Sequence, residues 1–276
     1  MNKLSLCLLA GTLIVACNNP SQNDAPATNT GNVADNTPPT LDFTVVKAYP
    51  HDTSAYTEGF LFHDGKLYEA TGTEPDMPAG RRSLFGTVDL ATGKITPKAE
   101  LDRNKYFGEG IAFLNGKVYQ LTYKTKVGFI YDATTFKKLG EFTFPSAEGW
   151  GMTTDGAYLI MSDGTSNISY LDPNTFRLAK VLGVTDNNGP VSNINELELI
   201  KGYLYANQWQ TNYILKIDPA SGKVVARLNL DNLVSQARNQ YPDAEVLNGI
   251  AYDSTSGKVY VTGKLWPSIY EIKFPI

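Results

Sequence analysis

The chain has 276 residues, of which 19% are charged, and a formal net charge of −4 at pH 7. No cluster of lysine and arginine is present, so the composition argues against nucleic acid as a partner. With two histidines, His51 and His63, and two cysteines, Cys7 and Cys17, the chain is poorly supplied for a zinc site, and we expect no metal and no cofactor.

The first forty residues are typical of a targeting and tethering segment. Residues 1–16 combine Lys3 with the apolar stretch 4–15, which is too short to span a membrane, and they are predicted to be a lipoprotein signal peptide. Cys17 is the expected lipidation site; the alternative is an ordinary secretory signal in which Cys17 is incidental. Residues 17–40 are rich in Asn, Thr, Pro, Ala and Asp, and they are predicted to be a flexible linker.

These features predict a lipid-anchored protein of the bacterial cell envelope, at the periplasmic face. Asn18 stands where an Asp is associated with inner-membrane retention, which favours the outer membrane. Cys7 would leave with the signal peptide, so no internal disulfide is available. Residues 41–276 are long enough for one all-β domain, which is predicted to be the folded part.

Residues 41–276 contain five repeats whose starts lie 39 to 52 residues apart. Each repeat opens with an acidic or amide residue and continues as an apolar run, a turn and a strand. The opening residues are Glu58, Glu109, Glu148, Glu196 and Asn248. A second hairpin follows in each repeat, marked by Asp-Pro or Thr/Ser-Gly turns. Short hairpins at this period predict a five-bladed β-propeller with four antiparallel strands in each blade.

The last repeat ends after its third strand, whereas residues 43–49 form an additional strand pattern before the first repeat. Pairing the two closes the ring and covers an exposed sheet edge. Two departures from the repeat are expected. Residues 74–82 enlarge a connection in the first blade, and residues 233–239 have the spacing of a short helix between the fourth and fifth blades.

Adjacent strands in a blade run antiparallel, so the start of the first strand lies beside the end of the second. The predicted second strands end near Gly72, Tyr123, Asp163, Trp209 and Lys264. These residues should share one face of the ring with the five opening residues, and Trp150 and Trp266 are close in sequence. Each opening glutamate has a structural alternative, which is to accept backbone N–H bonds and hold the blades in register.

Seven motifs of the chain resemble those of the plant-type and bacterial glutaminyl cyclases. They are YTEGF (56–60), FGEGI (107–111), EGWG (148–151), NELE (195–198), ANQWQT (206–211), LNGIA (247–251) and TGKLWP (262–267). The resemblance covers nearly all of residues 41–276. It implies a five-bladed propeller that cyclises an N-terminal glutamine to pyroglutamate and releases ammonia without zinc. The expected partners are peptides or proteins with N-terminal Gln, and a monomer is expected.

The resemblance also implies residue roles. Glu109 falls on the catalytic glutamate of the family, and Glu58 falls where plant members have glutamine. Asn195 and Lys264 match polar site residues. The substrate-binding residues expected from the motifs are Trp150, Trp209, Tyr123, Phe107, Tyr56, Asn248 and Trp266. Tyr123 stands where many members have tryptophan.

The implied mechanism assigns the proton shuttle to Glu109, with Glu58 holding the amine and the amide nitrogen. Lys264 and Asn195 would stabilise the oxyanion of a tetrahedral intermediate. For Lys264 the sequence leaves an alternative, because a structural salt bridge to one of the ring glutamates would also explain a lysine at that place.

Two other functions stay open from the sequence. The first is a non-catalytic propeller that binds peptides or glycans in the periplasm. The second is a calcium-dependent lactonase-type propeller, in which Glu58, Glu109, Asn195 and Asn248 would form a cage of oxygen ligands.

Overall fold

The structure is a computed structural model, and it describes residues 37–276. The predicted signal peptide 1–16, Cys17 and most of the linker 17–40 lie outside the described residues, so these assignments stay predictions. In the part of the chain that is described, no helix is both long and apolar enough to cross a membrane.

Residues 37–276 are almost entirely β-structure, with one helix, α1 (Asp231–Gln240). The strands are β1 (Thr40–Leu41), β2 (Thr44–Pro50), β3 (Thr57–His63), β4 (Lys66–Thr71), β5 (Leu84–Val88), β6 (Ile95–Glu100), β7 (Gly108–Leu114), β8 (Lys117–Thr122), β9 (Val127–Asp132), β10 (Lys138–Thr143), β11 (Met152–Thr154), β12 (Leu159–Ser162), β13 (Asn167–Leu171), β14 (Leu178–Gly183), β15 (Thr185–Asp186), β16 (Gly189–Pro190), β17 (Ile194–Ile200), β18 (Tyr203–Gln208), β19 (Tyr213–Ile217), β20 (Val224–Asn229), β21 (Leu247–Asp253), β22 (Lys258–Gly263) and β23 (Ser268–Lys273).

Five four-stranded antiparallel blades confirm the predicted propeller. Strands β3–β6 form blade 1, β7–β10 blade 2, β11–β14 blade 3, β17–β20 blade 4, and β21–β23 with β2 blade 5. The first strand of each blade contacts the first strands of both neighbouring blades, so β3, β7, β11, β17 and β21 close a ring around the axis. Five apolar clusters form the core, each filling the space between two neighbouring blades.

The ring closes as predicted. Strand β2 pairs antiparallel with β23, from Thr44 opposite Lys273 to Pro50 opposite Ser268, and so completes blade 5. One pairing was not predicted: β1 runs parallel to the outer strand of blade 4, with Thr40 opposite Arg227. In residues 37–276, regular secondary structure therefore begins at Thr40, the last residue of the predicted linker.

A register shift at the opening residue explains the repeated Glu-Gly step. In four blades the pairing of the first two strands is interrupted across Glu58, Glu109, Glu196 and Asn248. Such bulges turn a side chain out of the alternation of the strand. The glycine permits close packing near the axis, since a Cβ on Gly110 would lie 2.4 Å from the backbone nitrogen of Met152.

Both predicted departures from the repeat are present. Helix α1 lies between blades 4 and 5 and buries Leu233, Val234 and Ala237 in the core. The long connection between β4 and β5 is an ordered loop, in which the backbone nitrogen of Met77 donates to the carbonyl of Glu74 at 3.1 Å.

Candidate active site

A cavity of about 500 Å³ opens where first strands begin and second strands end. Nine of the eleven predicted catalytic and substrate-binding residues line it: Tyr56, Glu58, Phe107, Glu109, Tyr123, Trp150, Asn195, Trp209 and Lys264. Glu148 and Asp163, which the strand alignment placed on the same face, also line it. The antiparallel pairing of strands thus brings together residues that lie up to about two hundred positions apart.

A buried ion pair joins blades 1 and 5 at the floor of this cavity. The ammonium of Lys264 donates a hydrogen bond to Oε1 of Glu58, and both side chains are almost entirely withdrawn from solvent. The Lys264 nitrogen also lies 4.5 Å from the centroid of the Tyr56 ring, a cation–π contact. The hydroxyl of Tyr56 donates to Glu245 at 2.9 Å, which holds that ring in place.

Glu109 adjoins this pair, and its carboxyl group and that of Glu58 influence each other's charge. Burial, and then the negative charge of Glu58, raise the pKa of Glu109 well above its ordinary value. Burial raises the pKa of Glu58 to about 6, against the opposing effect of the Lys264 charge. The two carboxyl groups interact with each other. Burial therefore favours the protonated form of Glu109, while the charge of Lys264 favours the ionised form of Glu58.

Two buried oxygens of the cavity have no hydrogen-bond partner among the described residues, namely Oε2 of Glu109 and Oδ1 of Asn195. Asn195 is positioned through its backbone, because the hydroxyl of Ser162 donates to its carbonyl at 2.7 Å. A buried acceptor without a donor is costly, and these two oxygens lie in the cavity lining, where a ligand donor could satisfy them.

Aromatic side chains form the walls. Trp150 and Trp209 pack edge to face with ring centroids 5.5 Å apart, and the Trp150 indole N–H donates to Glu148 at 2.9 Å. On the opposite side, Phe107 lies between the rings of Tyr56 and Tyr123. Gly72 leaves room for Phe107, since a Cβ there would lie 2.0 Å from the ring. These walls exclude water and strengthen the electrostatic interactions of the buried carboxyl groups.

Comparison with known proteins identifies the family of the chain. The family model described as glutamine cyclotransferase matches residues 12–274. The chain belongs to the glutamine cyclotransferase family. It is 38% identical over 231 residues to the glutaminyl-peptide cyclotransferase of Arabidopsis thaliana, covering 83% of this chain and 70% of that protein. The crystal structure of the Myxococcus xanthus glutaminyl cyclase superposes with a TM-score of 0.76 at 32% identity, covering 86% of this chain and 98% of that one.

Two predicted substrate-binding residues of this cyclotransferase do not reach the cavity. Trp266 is fully buried in the core, where its indole N–H donates to the carbonyl of Glu245 at 3.0 Å. The preceding residue, Leu265, has φ = 61°, and this left-handed turn directs Trp266 away from the site. Asn248 lies behind Glu58, because its Nδ2 donates to Glu58 at 3.3 Å and to the carbonyl of Thr57 at 2.9 Å.

Glu196 follows the structural alternative that the sequence left open for the opening glutamates. Its carboxyl group accepts the backbone N–H of Ile250 at 2.9 Å and that of Phe60 at 3.3 Å. It therefore ties blade 4 to blades 5 and 1 and does not line the cavity. Burial raises the pKa of Glu196 well above its ordinary value, against the opposing effect of the two backbone N–H donors.

The strand alignment missed five residues that line the cavity: Glu74, Met77, Gly164, Thr165 and Asn193. Glu74 and Met77 belong to the enlarged connection of blade 1. The only sequence signal for them was the length of that connection, which does not show on which side the loop folds.

Residues 37–276 contain no group of three or more His, Cys, Asp or Glu arranged to hold a metal ion. In the predicted calcium cage, Glu58 already has a cationic partner, the ammonium of Lys264. This arrangement does not favour the lactonase alternative.

Proposed function

We propose that this chain converts the N-terminal glutamine of peptides and proteins to pyroglutamate and releases ammonia. The observation that carries the proposal is the buried carboxyl pair of Glu58 and Glu109 beside Lys264 in an aromatic-walled cavity. Membership of the glutamine cyclotransferase family supports the same reaction.

The reaction is intramolecular, so holding the substrate in a folded conformation supplies much of the rate. The α-amine of the glutamine attacks the carbon of its own side-chain amide. Trp150, Trp209 and Phe107 enclose the side chain and bring the two groups together. The unpartnered Oδ1 of Asn195 and Oε2 of Glu109 accept hydrogen bonds from the amine and the amide nitrogen.

The carboxyl pair accepts and donates the protons that move in the reaction. The attacking amine must lose one proton, and the departing amide nitrogen must gain one to leave as ammonia. Protonated Glu109 donates to the leaving nitrogen, and ionised Glu58 accepts the proton from the amine. Transfer of that proton from Glu58 to the neighbouring carboxylate of Glu109 restores the starting state.

Lys264 has two roles in this scheme. Its charge keeps Glu58 ionised at neutral pH, so the pair retains a base as well as an acid. An ammonium has three N–H donors, and one is engaged by Glu58, so the others are available to the developing oxyanion. The amide N–H groups of Asn195 supply further donors, each worth about 2.7–4 kcal/mol in comparable sites.

The test is ammonia release from a Gln-Ala-Ala peptide by the purified protein, with mass spectrometry of the product. The matched control is the same peptide with an acetylated α-amine, which cannot attack and should not react. Turnover should persist in EDTA. Failure on glutamine peptides with EDTA-sensitive lactone hydrolysis would instead identify the lactonase. Binding without turnover on either substrate would identify a scaffold.

We also propose that Cys17 carries the lipid anchor and that the linker up to residue 40 holds the propeller at the periplasmic face of the outer membrane. Two or more acyl chains on one cysteine suffice for stable anchoring. The protein acts as a monomer in this proposal.

A further inference from the structure

The enlarged connection of blade 1 forms a fixed wall at the mouth of the cavity. The guanidinium of Arg103, from the loop before blade 2, donates Nη2 to the carbonyls of Glu74 at 2.8 Å and Met77 at 3.0 Å. Its Nη1 donates to the carbonyls of Arg81 and Ala79 at 3.3 and 3.4 Å. Four carbonyls held by one side chain fix the loop, with Glu74 and Met77 lining the cavity.

This mouth is acidic. Besides the buried pair, the lining carries the carboxylates of Glu74, Glu148 and Asp163, whereas its ammonium group, Lys264, is engaged by Glu58. The side chains of Lys124 and Arg81 lie against the Tyr123 and Tyr56 rings, and neither lines the cavity. The lining of the mouth therefore attracts cations and repels anions.

The cavity holds more than the reacting residue. Its volume of about 500 Å³ lies within the range of pockets that enclose drug-sized ligands. The unpartnered, buried acceptor oxygens of Glu109 and Asn195 mark where the glutamine binds, at the floor. The rest of the bound peptide must then extend out through the mouth, where Glu74 and Met77 form one wall.

We propose that Glu74 and Met77 form the subsite for the residue that follows the N-terminal glutamine, and that this subsite selects lysine or arginine over aspartate or glutamate. A methionine side chain adapts to the aliphatic stem of a long basic residue, while the carboxylate of Glu74 meets its charged end. The inference rests on the proposed cyclase activity and specifies its substrate class.

The test compares kcat/KM for three C-terminally amidated peptides, Gln-Lys-Ala, Gln-Ala-Ala and Gln-Glu-Ala. Amidation removes the terminal carboxylate, so the peptides differ in charge only at the second residue. We expect kcat/KM to decrease from Gln-Lys-Ala to Gln-Ala-Ala to Gln-Glu-Ala, with about a tenfold ratio between the first and the last. Attraction of the lysine and repulsion of the glutamate by Glu74 each contribute the energy of an exposed charge contact. The ratio should shrink in high salt.

Glu74→Gln should reduce this ratio to about twofold. Asp76→Asn is the matched control, because Asp76 is an exposed carboxylate of the same loop that does not line the cavity; this variant should keep the ratio of the parent. Equal kcat/KM for the three peptides, or an unchanged ratio in Glu74→Gln, would overturn the inference and leave the cyclase activity standing. Absence of turnover on all three would overturn both.

Discussion

Replacing Lys264 by methionine removes the charge that balances Glu58. Deleting one partner of a buried ion pair costs about 3–5 kcal/mol when the other partner stays charged. Glu58 can avoid this cost by taking up a proton, because its pKa is already raised to about 6 with the lysine present. Removal of the lysine raises that pKa further. When the pKa of a carboxyl group is higher in the folded than in the unfolded protein, the protein loses stability as the pH rises from the unfolded-state pKa to the folded-state pKa. The loss is about 1.4 kcal/mol per pH unit.

The loss should therefore depend on pH. At pH 5, Glu58 is largely protonated in the Lys264→Met variant, and we expect the free energy of unfolding to fall by about 1 kcal/mol. At pH 8 the fall should reach about 3–5 kcal/mol, or a decrease in Tm of about 6–20 °C for a domain of this size. At neutral pH the carboxyl pair would hold two protons and lack a base, so kcat per folded molecule should fall at least about 100-fold.

Urea unfolding at both pH values and ammonia release at pH 7 measure the two effects. Lys138→Met is the matched control, since exposed Lys138 forms a surface ion pair with Glu141 at 2.6 Å and should contribute under about 1 kcal/mol at either pH. The double variant Lys264→Met with Glu58→Gln should regain stability at pH 8 without regaining activity. An equal loss at pH 5 and pH 8, or turnover within tenfold of the parent, would refute the reasoning.

Three further predictions follow from the buried carboxyl groups and the N-terminus. Glu109→Gln should lower kcat at least about 100-fold with KM nearly unchanged, because glutamine keeps the hydrogen bonds and cannot give up a proton; turnover within tenfold would remove Glu109 from its role. Burial raises the pKa of Glu198 to about 8, so the parent should lose stability between about pH 4.3 and pH 8. Glu198→Gln, which still accepts the Tyr252 N–H, should be more stable than the parent at pH 8 and equal near pH 4 by urea unfolding; parallel pH profiles would contradict this. Cys17→Ser should move the protein from the membrane pellet to the supernatant with cyclase activity retained, and a variant that still sediments would refute lipid anchoring.

Local patterns in the sequence were sufficient for most of the architecture. Alternating apolar residues and turn residues predict strands and hairpins, and their repetition predicts blades. The missing fourth strand of the last repeat pointed to the N-terminal strand that completes blade 5. The shared face of the opening residues follows from antiparallel pairing alone, and for this reason Glu58, Glu109 and Lys264 could be placed together before the structure was known.

The repeat pattern by itself could not show which of the opening residues lines the cavity. Glu109 and Glu196 both open a repeat, within bulges of similar form. Glu196 reaches backbone N–H groups of two other blades and is thereby satisfied. Glu109 has an oxygen without a partner and faces the cavity. The difference lies in donors supplied by distant segments, which no local pattern encodes.

The sequence by itself thus determined the five-bladed ring, its closure and the face that carries the site, because these depend on strand periodicity and on the pairing of neighbours along the chain. Only the tertiary structure decided that Lys264 pairs with Glu58, that Trp266 turns into the core after Leu265, and that the Glu74–Met77 wall folds over the cavity. Each of these depends on a local backbone turn or on contacts between distant segments. The contacts between distant segments depend on how the blades are arranged around the ring.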